Sequence, residues 1–254
     1  GMQGLGTLGD ASYGHAISAD GSVVVGSSDQ RAFRWTASDG MQDLGTLGGT
    51  IASAHDVSAD GSVVVGASTS SDEFGRAFRW TAGDGMQELG PLSSTAHAVT
   101  DDGGTIAGFV DGGQSGIFRW NSLAGMQEVG LNGIDPLQFE IFRFSLSMSA
   151  DGNVMGGGGI DLLPNSQNRA WLWTESSGLT LLEPYLAGLG LDLAGWELHE
   201  VTSLSFDGST IVGTGMFEGE SRSWIVAGVP SPGGSSLIAI SLVAGLRRRR
   251  SVAN

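Results

Sequence analysis

Two residue types are missing from the 254-residue chain: there is no cysteine, and all twelve basic residues are arginine, so there is no lysine. Without cysteine there can be no disulfide, no thiolate metal site and no cysteine nucleophile. Charge of either sign is sparse, at 15% of residues. The balance is acidic, net −15, and four of the arginines form the single run Arg247 to Arg250, so the remainder is more acidic still. Such a surface repels phosphate backbones, and nucleic acid is not expected as a partner. No nucleophile elbow, phosphate loop or His-Glu-x-x-His motif is present, and no cofactor is expected. No signal peptide is visible at the start. Gly1-Met2-Gln3 reads as repeat sequence, because Gly-Met-Gln recurs at 40–42, 85–87 and 125–127, and the true start is expected upstream.

What is present is glycine and repetition. Forty-three glycines and 40% apolar residues fit a globular all-β chain with many turns, and the spacing excludes a collagen helix. The stretch Ser18-Ala19-Asp20-Gly21-Ser22-Val23-Val24-Val25-Gly26 returns unchanged at 58–66. Worn copies follow at 100–108, 149–157 and 205–213. Asp-Gly followed by β-branched residues predicts a hairpin with a tight type I′ turn. The turn positions are Asp20 and Gly21, Asp60 and Gly61, Asp102 and Gly103, Asp151 and Gly152, Asp207 and Gly208. Behind the hairpins of units one to three come a Phe-Arg-Trp strand and a Met-Gln strand; unit four has Ala170-Trp171-Leu172-Trp173-Thr174 and Leu179-Thr180-Leu181-Leu182, and unit five only Ser223-Trp224-Ile225-Val226, so a full unit offers four strands. Four strands in about 40–45 residues is the arithmetic of a propeller blade.

The expected fold is therefore an all-β, five-bladed β-propeller over residues 1–228. Its units lie near 12–48, 52–92, 96–131, 145–182 and 200–227. Residues 1–8 resemble the last strand of a unit, and unit five lacks one, so 1–8 are expected to pair beside Ser223 to Val226 and close the ring. A fragment of a longer array is the alternative. The third-strand aromatics Trp35, Trp80, Trp120, Trp173 and Trp224 are expected to share one phase and pack between blades. The segment 131–146 reads as a long connection, and 183–199 carries helix-like spacing at Leu186, Leu189, Leu193 and Trp196.

These repeats, with Ala32-Phe33-Arg34-Trp35-Thr36 and Met41-Gln42-Asp43-Leu44-Gly45-Thr46-Leu47 in the first unit, resemble the HAF family of extracellular bacterial repeat proteins. The Ser-x-Asp-Gly turn is similar to that of TolB-type propeller repeats. Residues 229–254 form a tail of a different kind: Pro230-Ser231-Pro232, an uncharged apolar run from Ser236 to Leu246, then Arg247, Arg248, Arg249 and Arg250. The tail resembles a PEP-CTERM sorting signal, with Pro-Ser-Pro in place of Pro-Glu-Pro. The resemblance implies an exosortase-like sorting enzyme as a partner and a transient hold at the inner membrane with the arginines inside. An amphipathic or disordered tail is the plainer alternative. The family implies export to the cell surface or extracellular space of a Gram-negative-type bacterium, and no established activity.

Three histidines, His15, His55 and His97, share one phase, five residues before the turn aspartate. They could ring a channel and bind metal, although units four and five carry Leu146 and Thr202 there. Hydrogen-bonded structural histidines are the plainer reading. The five turn aspartates could hold calcium, but turn chemistry accounts for them. Glu140, Asp161 and Asp192 are the carboxylates that do not repeat, and nothing in the sequence pairs them for acid–base work. The expectation is a non-enzymatic cell-surface or matrix module that binds extracellular polysaccharide or surface proteins. The alternative is a carbohydrate-active hydrolase or lyase.

Overall fold

The computed structural model describes residues 1–91, 93–111, 116–130, 134–135, 138–162, 166–230 and 241–242. Its strands come in fours. The first unit is β1 (Ser12–Ile17), β2 (Val23–Ser28), β3 (Arg31–Thr36) and β4 (Gly40–Asp43). The second is β5 (Gly48–Val57), β6 (Val63–Ser70), β7 (Gly75–Thr81) and β8 (Gly85–Glu88). The third is β9 (Ser94–Val99), β10 (Thr105–Val110), β11 (Gly116–Asn121) and β12 (Gly125–Val129). The fourth is β13 (Phe139–Met148), β14 (Val154–Asp161), β15 (Asn168–Thr174) and β16 (Gly178–Leu181). A helix α1 (Leu182–Gly188) follows, then β17 (Trp196–Leu204), β18 (Thr210–Phe217), β19 (Glu220–Ala227) and β20 (Ser241–Leu242). Within each unit consecutive strands pair antiparallel, and the pairing Gly158↔Glu200 joins the strands of the fourth and fifth units into one sheet.

The repeated turn is a knot of hydrogen bonds. Ser18 Oγ donates to Asp20 Oδ1 (2.7 Å), which also accepts from the Ser22 N–H (2.9 Å). The Val23 N–H in turn donates to Ser18 Oγ (3.0 Å), and the Gly21 N–H to the Ser18 carbonyl (2.9 Å). The same bonds recur at Ser58–Asp60, Thr100–Asp102, Ser149–Asp151 and Ser205–Asp207. Only the glycine takes a positive φ, near +70°, and none of the five aspartates does. The expected type I′ turn is therefore corrected. Aspartate is needed for its carboxylate, and glycine for the left-handed residue after it.

The glycine that ends the repeat has a packing reason. A Cβ on Gly66 would lie 2.0 Å from the Ser53 carbonyl oxygen and 3.0 Å from the Phe78 ring. Register places Phe33, Phe78, Phe118, Trp171 and Trp224 opposite these glycines. Trp224 thus occupies the phenylalanine phase, not the phase of Trp35, and the expected five-tryptophan set is corrected. Both buried tryptophans direct their indole N–H to a carbonyl beyond the glycine, Gly158 for Trp171 and Thr214 for Trp224.

Four apolar clusters join the units in sequence. Val23 and Val25 meet Ala54, Val57 and Phe78; Val63 and Val65 meet Ala96, Val99 and Phe118. Phe109 and Ile117 meet Ile141 and Trp171; Leu172 and Val154 meet Val201, Trp224 and Val226. Trp80, Trp120 and Trp173 flank these interfaces as half-buried residues. A main-chain ladder follows the same path, from the Ala19 N–H to the Ala59 carbonyl, Ala59 to Asp101, Asp101 to Ala150 and Ala150 to Phe206.

Among the described residues no cluster joins unit five to unit one. Residues 1–8 do not close a ring. Thr7 and the Leu8 N–H bond Ser28 Oγ in the first unit, and β19 pairs instead with β20. Ser28 is buried and its hydroxyl ties the N-terminal segment to the first unit. The expected long connection at 131–146 contains most of β13, and the expected helix is shorter than its spacing suggested, with Leu189 left 37% exposed. Among the described residues no helix is long and apolar enough to cross a membrane.

Candidate functional site

The first strands of units one to three bring His15, His55 and His97 side by side. His55 and His97 stack with ring centroids 5.0 Å apart and planes 24° apart; His15 lies 5.9 Å from His55. Phe109 meets the edge of His97 at 5.2 Å. Together with Ala67, Thr95 and Asp111 these rings line a cavity of about 530 Å³. It is graded from the exposed His15 to the fully buried Phe109.

Each anchored imidazole is held by the next unit. His15 Nδ1 lies 2.7 Å from the Ala54 carbonyl, and His55 Nδ1 lies 2.9 Å from the Ala96 carbonyl. A carbonyl only accepts, so Nδ1 carries the proton and Nε2 keeps a lone pair. Burial holds His97 well below its ordinary range, at about 4, and the neighbouring His55 adds to the shift. Burial likewise lowers His55, against the raising effect of the Ala96 carbonyl. His55 and His97 are thus stacked rings that burial keeps from taking up a proton. Among the described residues no group of three metal-binding side chains is assembled.

The other sequence candidates lie apart from the cavity and are engaged elsewhere. The turn aspartates spend their carboxylates inside the turns. Asp20 is held near 2 by the Ser22 N–H and the Ser18 hydroxyl, and Asp207 near 2 by the Ser205 hydroxyl and the Ser209 N–H. Asp161 pairs with Arg169 (3.0 Å), which also pairs with Glu183 (3.0 Å), and Asp192 accepts from the Ala194 N–H. Glu140 sits exposed on β13. Pro230 is half-buried; Pro232 and Arg247 to Arg250 lie outside the described residues.

Two residues escaped the sequence reading. Asp111 lines the cavity, with Oδ2 accepting from Ser93 Oγ at 3.3 Å. Asp56 is a half-buried carboxylate that accepts from the Val57 and Val99 N–H groups, both at 2.9 Å, and so ties unit two to unit three. Burial pushes it up to about 6. Comparing copies exposes it: His55-Asp56-Val57 stands where the neighbours have His15-Ala16-Ile17 and His97-Ala98-Val99.

No family model matches the chain, and no curated protein sequence does. Solved structures do. A protein of Agrobacterium tumefaciens described as TolB is 13% identical, with TM-score 0.57, over 85% of this chain and 76% of its own. Dipeptidyl peptidase 4 of Porphyromonas gingivalis is 12% identical, with TM-score 0.53, over 85% of this chain and 38% of its own. The propeller domain of the Trilobed protease from Pyrococcus furiosus, which has an open velcro topology, is 10% identical, with TM-score 0.52, over 87% and 70%. The fold is that of a β-propeller. This chain spans about three quarters of the TolB protein but less than two fifths of the dipeptidyl peptidase.

These neighbours overturn the expected role. They are a TolB protein and propellers of peptidases, and they do not support a cell-surface or matrix module or a carbohydrate-active enzyme. That expectation rested on the regularity of the repeats. Regularity reports how blades stack and carries no information about role.

Proposed function

We propose that this chain is a five-bladed propeller that recognises peptide segments on behalf of a hydrolase, with the histidine-lined cleft as the point of capture. The observation that carries the reading is the cleft itself. Three consecutive units place imidazole rings, two of them with tautomers fixed by carbonyls of the next unit, along a cavity of about 530 Å³, a volume in the range of ligand pockets. The peptidase neighbours lend support through their shared fold. The test is calorimetric titration of the full chain with a pool of short blocked peptides, repeated with His55→Leu. Binding that His55→Leu weakens supports the reading; no heat from any peptide, or binding indifferent to His55, removes it.

A second reading concerns the tail. Its resemblance to a sorting signal supports export, with Pro230 and Pro232 marking a processing point for an exosortase-like enzyme and Arg247 to Arg250 held inside. The strand β20 draws on the same segment, pairing Ser241 and Leu242 with Ala227 and Val226. Processing near Pro232 would strip that strand from β19. Mass spectrometry of the mature protein from its host decides: recovery of intact 247–254 on most molecules refutes the sorting reading.

A further inference from the structure

We infer that the outer face of unit five docks on the outer face of unit one of a second copy, so that chains associate head to tail. The contact between units has a direction. In the ladder that joins them, one turn residue of each unit donates its N–H forward, to the carbonyl of the equivalent residue in the next. The bonds run from Ala19 to Ala59 (3.0 Å), Ala59 to Asp101 (3.1 Å), Asp101 to Ala150 (3.2 Å) and Ala150 to Phe206 (3.0 Å). Two ends are left over. Among the described residues no hydrogen bond engages the Ala19 carbonyl, and none engages the Phe206 N–H. Unit one therefore ends in an acceptor and unit five in a donor, at equivalent positions.

The side chains follow the same direction. The second strand of each unit sets a β-branched residue against the turn glycine of the next. A Cβ on Gly61 would lie 2.4 Å from Val23, and one on Gly208 2.6 Å from Val154. A threonine serves as well, since a Cβ on Gly152 would lie 3.2 Å from Thr105 Cγ2. In unit five Thr210 holds this position, and the glycine it would meet is Gly21, where a Cβ finds only Ile17 of its own unit. Both faces are open: Ile17 is 59% exposed on unit one, and Phe206 is 73% exposed on unit five. No cluster of described residues joins units five and one, so the two ends of one copy do not meet each other. A second copy supplies what each end lacks. Two unit-one faces would instead set carbonyl against carbonyl and leave both Phe206 donors over. Because the two docking faces differ, every added copy presents a new one, and growth does not stop at a dimer. The net charge of −15 on each copy opposes contact, so added salt should strengthen the association.

The experiment is sedimentation velocity of the full chain at rising concentration, in low and high salt. Dilute copies should run as single open arcs, and the mass should grow past the dimer as concentration and salt increase. Ile17→Glu blocks the unit-one face and Thr210→Glu the unit-five face. Each alone should weaken association roughly tenfold or more, because a carboxylate loses water in the contact. Mixed together, each keeps one intact face, so the pair should recover a one-to-one complex and nothing larger. Phe206→Pro removes the donor alone. The Gly208 N–H bonds the Ser205 carbonyl, which puts residue 206 at the turn position that favours proline. It should associate roughly threefold to tenfold more weakly than Phe206→Ala, which keeps the N–H. This pair of variants stands in if Thr210→Glu does not fold. A single species at every concentration overturns the inference. Growth that stops at a dimer, with no recovery on mixing, shows like meeting like and also overturns it. So does association that none of these variants weakens.

Discussion

Single positions in this protein carry steric demands that the copies reveal when superimposed. Gly66 sits under the Phe78 ring with the Ser53 carbonyl at 2.0 Å from where a Cβ would lie, and a backbone atom cannot swing aside. Gly66→Ala should therefore cost roughly 2–4 kcal/mol in urea unfolding, while Gly75→Ala, with nothing within 4 Å, should stay within about 0.5 kcal/mol. Two half-buried titratable groups give the second residue-scale expectation. An unfolded chain protonates His97 near 6.5 but the folded one only near 4, so its contribution to stability is full above 6.5 and lost as pH falls towards 4. Asp56 acts in the opposite sense: folded it stays protonated up to about 6, against 3.8 unfolded, so stability is lost as pH rises through that window. The two nearly offset one another between about pH 4 and 6. Asp56→Asn removes one side of the balance. The variant should lose stability more steeply than the parent as pH falls from 6.5 to 4, where His55, also lowered by burial, adds to the loss in both; equal slopes in urea midpoints measured across that range would contradict the opposition of Asp56 to the histidines.

At the scale of elements, the Ser-x-Asp-Gly turn is the unit of local order. Ser58 is 1% exposed and its hydroxyl is the acceptor for the Val63 N–H. Ser58→Ala leaves that buried N–H unpaired and should cost about 1–3 kcal/mol, read as a lower urea midpoint. The strand pattern of this element was legible from the sequence because polar turn and β-branched run alternate in every copy. The phase of the third strand was not legible in unit five. Ser223-Trp224-Ile225-Val226 has one aromatic where Ala32-Phe33-Arg34-Trp35 has two, and only the pairing of Gly213 with Trp224 shows which one is kept. The turn type was also misread, since Asp-Gly suits two geometries and the choice depends on where the carboxylate bonds. The histidine column was legible as a phase but not as a site. Its chemistry depends on carbonyls of the next unit and on Asp111, just past the end of β10, which the phase of the histidines does not reveal.

At the scale of the whole molecule, the four-stranded antiparallel units could be read from the sequence but the closure could not. Sequence offered a spare strand at 1–8 and a vacancy in unit five, and arithmetic joined them. The chain instead bonds 1–8 to Ser28 in the first unit, close in sequence, and gives β19 a different neighbour. A short-range contact closes a smaller loop and costs less chain entropy than one across the whole arc. The consequence appears at equivalent positions of the first strands. Val57 is 7% exposed and Val99 9%, each covered by the preceding unit, whereas Ile17 is 59% exposed. The turn glycines agree: a Cβ on Gly61 would strike Val23 of the preceding unit at 2.4 Å, while one on Gly21 meets only Ile17, at 3.9 Å. An arc open at unit one makes a prediction that a closed ring does not. Ile17→Glu should change stability by no more than about 0.5 kcal/mol, as for an exposed site, because its carboxylate stays in water. Val57→Glu buries the same carboxylate between two units and should cost about 3 kcal/mol or more. Urea unfolding of the two variants side by side reads the difference. If Ile17→Glu is as damaging as Val57→Glu, unit five covers unit one in solution and the arc is closed.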